Sequence, residues 1–167
     1  MKVKAIVDER FQDYKLPSMF LATCHCDFKC CLEAGISPTI CQNNPILTQP
    51  TIDISADEIL RRYASNPITK AVVIGGLEPW LQIDEIIELI DLFRSNGIRD
   101  DFVIYTGYYR HEIQADIERL VKYPNIVIKY GRFISGAPTR YDETLGVTLA
   151  SGSSTVNRTV IIRYGIF

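Results

Sequence analysis

Between Lys70 and Lys129 the chain alternates short β-branched runs with longer amphipathic ones, and this constrains the fold more than any other feature. Lys70-Ala71-Val72-Val73-Ile74, Phe102-Val103-Ile104-Tyr105 and Asn125-Ile126-Val127-Ile128-Lys129 read as strands of a buried sheet. Between them, Ile83, Ile86, Ile87, Ile90 and Phe93 mark one face of a helix, closed by Gly97, and Ile113, Ile117, Leu120 and Val121 mark another. Upstream, Ser55-Ala56-Asp57-Glu58 has capping-box spacing and opens a helix to about Ala64. Met19 to Thr23 is a further apolar run, and Lys2 to Val7 reads as an edge strand. This order implies βαβ units, so we expect an α/β fold with a mostly parallel sheet and right-handed crossovers, in one domain spanning 1–167. After Gly131 the alternation stops. Leu145 to Ala150 and Thr159 to Tyr164 are expected as two more strands around a Gly-Ser-rich turn.

Composition removes several function classes. The net charge of −2 lacks the basic excess of a general nucleic-acid or acidic-membrane binder. No apolar run approaches the roughly 20 residues that span a bilayer. The first residues, Met1 to Asp8, carry no signal-peptide pattern, so a cytoplasmic protein is expected.

All five cysteines, Cys24, Cys26, Cys30, Cys31 and Cys41, lie within 18 residues. Disulfides would spread their cysteines to staple distant segments, and a reducing cytosol would not keep them. An odd, clustered set points to metal or redox chemistry. Thiolates suit zinc and iron–sulfur clusters alike, but the paired C-x-x-C knuckles of structural zinc are absent. The cysteines follow the Met19 to Thr23 strand and fall in a loop-like stretch from Asp27 to Pro50. Ligands of parallel α/β sheets bind beyond the C-terminal strand ends. Three features fall there: the cysteine loop, Gly75-Gly76 and Thr106-Gly107.

His25-Cys26-Asp27-Phe28-Lys29-Cys30 resembles the G-C-N-F-R-C opening of the radical S-adenosylmethionine motif, C-x-x-x-C-x-x-C. Gly75-Gly76-Leu77-Glu78-Pro79 resembles the G-G-E-P segment of that superfamily, with Leu77 as a departure. Tyr105-Thr106-Gly107-Tyr108 resembles a Y-T-G-Y segment of the enzymes that activate anaerobic ribonucleotide reductase. Lys129-Tyr130-Gly131-Arg132-Phe133 and Ser151 to Arg158 are similar to their D-G-R/P-F and R-G-S-S-N-Q-R stretches, each with substitutions.

The resemblance implies an open, partial β/α barrel holding a 4Fe-4S cluster and S-adenosylmethionine. Cys26, Cys30 and Cys41 would be the cluster ligands, with Cys31 and Cys24 as rivals for the third place. The strict motif register falls on Glu33, a poor cluster ligand, because Cys31 to Ile40 stand inserted. Cofactor contacts are implied for Gly75, Gly76, Glu78, Pro79, Thr106, Gly107 and Ile40. Glycines would let backbone approach the ligand closely, and Glu78 would accept from its ammonium group. The activity implied is reductive cleavage of S-adenosylmethionine to a 5′-deoxyadenosyl radical. That radical would take hydrogen from a glycine of a glycyl-radical protein, anaerobic ribonucleotide reductase first among them. A one-electron donor such as flavodoxin or ferredoxin would be required. Two other expectations stand beside it: a radical enzyme acting on another protein, peptide or small molecule, and a zinc-stabilised binding module without catalysis. Neither His25 nor His111 has a recognisable partner, and both are expected on the surface. Trp80 is expected in the core.

Overall fold

The chain opens with a hairpin of β1 (Lys2–Arg10) and β2 (Ser18–Thr23), followed by the short helix α1 (Lys29–Glu33) and β3 (Ile52–Asp53). Next come α2 (Ala56–Ser65), β4 (Ala71–Gly75), α3 (Ile83–Ser95), β5 (Asp101–Tyr105), α4 (Gln114–Leu120) and β6 (Ile126–Tyr130). A small hairpin of β7 (Arg140–Asp142) and β8 (Val147–Leu149) precedes β9 (Arg158–Ile162). These elements come from a computed structural model that describes residues 1–150 and the backbone of residues 158–162.

Seven strands form the main sheet in the order β3-β1-β2-β4-β5-β6-β9. Its centre, β2-β4-β5-β6, is parallel, while β1, β3 and β9 join it antiparallel. The fold is therefore α/β with a mostly parallel central sheet.

Side chains alternate across this sheet with the two-residue period of a strand. Val72 and Ile74, Phe102 and Ile104, and Ile126 and Ile128 point to one face. There they meet Ile59 and Tyr63 of α2, Ile86, Ile90 and Phe93 of α3, and Ile117 and Leu120 of α4. The Phe93 ring stands edge-on to both Tyr63 and Phe102 at 5.1 Å, joining α2, α3 and β5. Val73, Val103 and Val127 point to the opposite face, which no α-helix among the described residues covers; Tyr14, Leu145 and Leu149 pack on it instead. All three crossover helices thus share one face, and consecutive parallel strands are neighbours.

The expected helices and inner strands are present, with local differences. Ser55 caps α2 by accepting from the Glu58 amide at 3.1 Å. Val121 is 41% exposed because α4 ends at Leu120, so it does not extend that helical face. β1 is not the outermost strand, since β3 pairs with Lys2 and Val3. The segment expected as a strand from Leu145 gives only Val147–Leu149. Leu145 instead lies in a tight turn, where the Asp142 carboxylate accepts from the Thr144 and Leu145 amides at 3.0 Å. The last strand pairs antiparallel with β6 over Arg158–Ile162. The Gly-Ser-rich segment 151–157 and residues 163–167 lie outside the described residues. Among the described residues no helix is long and apolar enough to cross a membrane.

Candidate metal centre

The C-terminal ends of β2, β4, β5 and β6 open onto one cavity of about 330 Å³. Cys26, Cys30 and Cys41 line it from the loop after β2. Gly76 and Glu78 line it after β4, Thr106 and Gly107 after β5, and Lys129 near the end of β6. Four stretches, from Cys26 to Lys129 in the chain, therefore share a wall, as the strand-end rule requires.

The cysteine loop is gripped on both sides of Cys26. Thr23 Oγ1 donates to the Gly75 carbonyl at 3.2 Å, and the Cys24 amide to Gln82 Oε1 at 2.7 Å. The Glu78 amide donates to the His25 carbonyl at 2.7 Å, and Tyr108 Oη to Asp27 Oδ2 at 2.7 Å. Phe28 then turns the backbone into the left-handed region (φ 53°) and starts α1. Its amide donates to Cys26 Sγ at 3.3 Å. The stretch expected as plain loop from Asp27 to Pro50 is thus partly ordered by α1 and by two 3₁₀ turns, Pro38–Ile40 and Asn44–Thr48.

The five thiols divide by position. Cys26, Cys30 and Cys41 are half-buried and on the cavity wall. Cys31 is 0% exposed and Cys24 6%, and neither is on that wall. Burial pushes the Cys26 thiol up to about 12, against the pull of the Phe28 amide. Burial and the neighbouring Cys31 and Cys41 sulfurs push Cys30 up to about 11. Such thiols stay protonated until a cation compensates their charge, so binding metal here must expel protons.

Glu33 is not on the cavity wall. Its carboxylate receives Arg132 Nε at 2.8 Å and Nη2 at 2.7 Å, a forked pair that holds it below the usual carboxylate range. The Arg132 side chain is 4% exposed and also reaches Glu112 and the Gly107 carbonyl.

The Glu78 carboxylate is buried and already well supplied with donors. Oε1 accepts from Thr106 Oγ1 at 2.6 Å and from the Trp80 amide at 3.0 Å, while Oε2 accepts from the Gly107 amide at 2.9 Å. It welds the β4 turn to the β5 turn. Burial raises its pKa, and those three donors oppose the rise. Gly76 (φ +80°) sits so close to β2 that an added Cβ would lie 2.9 Å from Ala22 Cβ. Gly75, Pro79 and Ile40 are off the cavity wall. The Gly75 carbonyl serves Thr23, Pro79 begins the buried 3₁₀ turn Pro79–Gln82, and Ile40 is 51% exposed. His25 and His111 are exposed, and Trp80 packs in the core with Nε1 donating to Asp116 at 2.9 Å.

Lys129 has a role that the motif containing it does not reveal. Burial brings its pKa down to about 8, against the opposing pull of Glu78 and Cys30, and its Nζ donates to the Gly131 carbonyl at 3.2 Å. The available signal was a charge interrupting the apolar run Ile126-Val127-Ile128 at its cavity end. Glu33 and Arg132 fall in motif stretches, but nothing local pairs them with each other, and Gln82 carries no signal at all, because their partners are distant in the chain.

Among the described residues, no three His, Cys, Asp or Glu side chains are arranged to hold a single metal ion. Tetrahedral ligation at about 2.3 Å would need three sulfurs packed nearly in contact. Three thiols facing one cavity suit a multi-iron cluster, whose irons each take their own cysteine. The donor set is soft and the cavity is shared, so the residues fit an iron–sulfur group.

The family model of the 4Fe-4S single cluster domain matches residues 17–154, and the chain belongs to that family. Its cofactor is accordingly a 4Fe-4S cluster. No curated protein and no solved structure matches the chain.

Proposed function

We propose that this chain is a radical S-adenosylmethionine enzyme whose cluster is held by Cys26, Cys30 and Cys41. The observation that carries the reading is the shared cavity, where those thiols meet the Gly76 and Glu78 turn and the Thr106-Gly107 turn. Three cysteines for four irons leave one iron without a protein ligand, the open position that metal catalysis needs. The sequential parallel strands with all crossover helices on one face support a partial, open β/α barrel.

When bound, the cluster and S-adenosylmethionine supply reductive cleavage of a carbon–sulfur bond, with one electron entering and a 5′-deoxyadenosyl radical leaving. The chain supplies position and charge. Gly76 lets the β4 turn lie tight against the end of β2 at the cavity wall, since any side chain there would meet Ala22. Glu78 holds the two glycine turns at a set separation, and its carboxylate remains a charge partner for an ammonium group. Lys129 lines the same cavity as Cys30 and Glu78, whose charges favour its cationic form. The hydrogen donor would be a glycine of a partner glycyl-radical protein, best matched to anaerobic ribonucleotide reductase. Flavodoxin or ferredoxin would deliver the electron, in an anaerobic cytoplasm.

Anaerobic reconstitution followed by iron, sulfide and zinc analysis tests the first half of this reading. Incubation with S-adenosylmethionine and dithionite tests the second. The expected result is about four irons and four sulfides per chain and release of 5′-deoxyadenosine. Zinc without iron would defeat the cluster assignment, and iron without 5′-deoxyadenosine would defeat the radical assignment.

A further inference from the structure

We propose that Glu33 and Arg132 form a latch that holds the cysteine loop in its ligand-presenting conformation before any metal is bound. The inference rests on the reading that this loop carries the cluster ligands, and it needs no assumption about S-adenosylmethionine.

α1 has only five residues, Lys29–Glu33. A helix so short has no stability of its own, because nucleation costs more than its few hydrogen bonds return. Its entry makes matters worse. Phe28 sits in left-handed conformation without being glycine, its own side chain makes no cap, and the helix start has only the Asp27 carboxylate, which accepts the Lys29 amide at 3.2 Å. Yet α1 carries Cys30, and it leads into the turn before Cys41. Something outside the helix must fix it.

Arg132, two residues past the end of β6, does this. The preceding residue, Gly131, is pinned by its amide to the Tyr108 carbonyl at 2.7 Å. The guanidinium donates to the Gly107 carbonyl at 2.6 Å and to Glu112 at 2.9 Å, and lies 4.5 Å from the Tyr109 ring centre. With those contacts it is immobilised before it meets Glu33. The fork it presents then takes both Glu33 oxygens. At the other end of α1, Lys29 Nζ reaches Glu112 Oε1 at 2.5 Å. Cys30 therefore lies between two ties that converge on the Arg132–Glu112 pair. Glu33 stands where the strict motif register puts a third cysteine. Its side chain ties the loop to the fold there by an ion pair, and the third thiol comes from Cys41, beyond the insertion.

The test uses the full-length chain purified metal-free. Hydrogen exchange is followed at the Cys31, Leu32 and Ala34 amides, which bond to the Phe28 and Cys30 carbonyls within this turn. Glu33→Ala is the clean variant, because the Glu33 side chain is 45% exposed and its loss leaves the Arg132 contacts to Gly107 and Glu112 in place. These amides are expected to exchange about tenfold faster in Glu33→Ala, with β4 and β5 amides unchanged. Glu33→Gln, which keeps one acceptor oxygen, should fall between. Initial rates of cluster assembly, read by absorbance, should follow the same ranking, while the reduced cluster's electron paramagnetic resonance signal keeps its shape. Exchange in Glu33→Ala equal to wild type would overturn the latch. So would equal acceleration across the whole sheet, which would mean general destabilisation. The exchange result is independent of metal, so a wrong ligand assignment would leave it standing.

Discussion

Thr106 shows how much of the site depends on single buried hydrogen bonds. Its hydroxyl donates a hydrogen bond to Glu78 at 2.6 Å and accepts one from the Tyr108 amide at 3.0 Å, and both it and Glu78 are nearly inaccessible. Thr106→Val keeps the shape and removes both bonds. A buried carboxylate then loses one of three donors and a backbone amide loses its acceptor. We expect a loss of about 1–3 kcal/mol in stability of the metal-free chain, measured by urea denaturation. The pH dependence has a definite sign. Glu78 already titrates above its ordinary value of 4.5 because burial disfavours the ionised form. Losing the hydroxyl raises it further, and only the ionised form suffers. The gap between variant and wild type should therefore be widest at neutral pH and should narrow as pH falls and Glu78 takes up a proton. A gap that stays constant with pH would mean that the hydroxyl acts through the Tyr108 amide and packing, with nothing from its bond to Glu78. Thr106→Ser should restore most of the loss.

At the scale of elements, the turn after β4 does more than connect β4 to α3. Gly76 has φ +80°, and a Cβ there would stand 2.9 Å from Ala22 Cβ and 3.2 Å from Ala22 Cα. Ala22 is the last β2 residue paired with β4, so the clash would push apart the two strand ends that carry the cysteine loop and the glycine turn. Gly35, at φ +64° after α1, has open space around it. Gly35→Ala should cost only the left-handed backbone penalty, about 1 kcal/mol. Gly76→Ala should cost about 3 kcal/mol, since backbone must also move. Urea midpoints compare the two, and equal losses would show that β2 and β4 yield easily. Elements with their own periodicity are legible in the sequence: β4, β5, β6 and α3 follow from runs such as Ala71-Val72-Val73-Ile74 and from isoleucines at helical spacing. α1 is not, because it is set by Arg132 and Tyr108, far along the chain. The β7–β8 hairpin is half legible: Val147–Leu149 reads as a strand, but its partner Arg140–Asp142 is held by an Asp142 turn that no apolar pattern announces.

Across the whole molecule, the cavity gathers what the sequence scatters. Cys26, Cys30, Gly76, Glu78, Thr106 and Gly107 could be placed together from sequence because each lies just past a recognisable parallel strand. The third thiol could not, because motif spacing fails between Cys30 and Cys41 and only folding decides which sulfur returns to the cavity. The structure brings Cys41 to the wall and turns Cys31, adjacent to Cys30, fully inward. Neighbouring residues on a helix point about 100° apart, and here Cys30 faces the cavity while Cys31 is buried behind it. Iron content after anaerobic reconstitution of five single variants follows from this division. Cys26→Ala, Cys30→Ala and Cys41→Ala should each lose the 4Fe-4S signal. Cys24→Ala and Cys31→Ala should keep wild-type iron. Cys31→Ala removes a buried sulfur from a tight site, so it should lose about 1 kcal/mol of stability through the small void left behind. That separates the two kinds of thiol by opposite readouts: loss of iron with little change in metal-free stability for the cavity set, and loss of stability with full iron for Cys31. If Cys31→Ala empties the site while Cys41→Ala loads normally, the third ligand is Cys31, and α1 must unwind on binding the cluster.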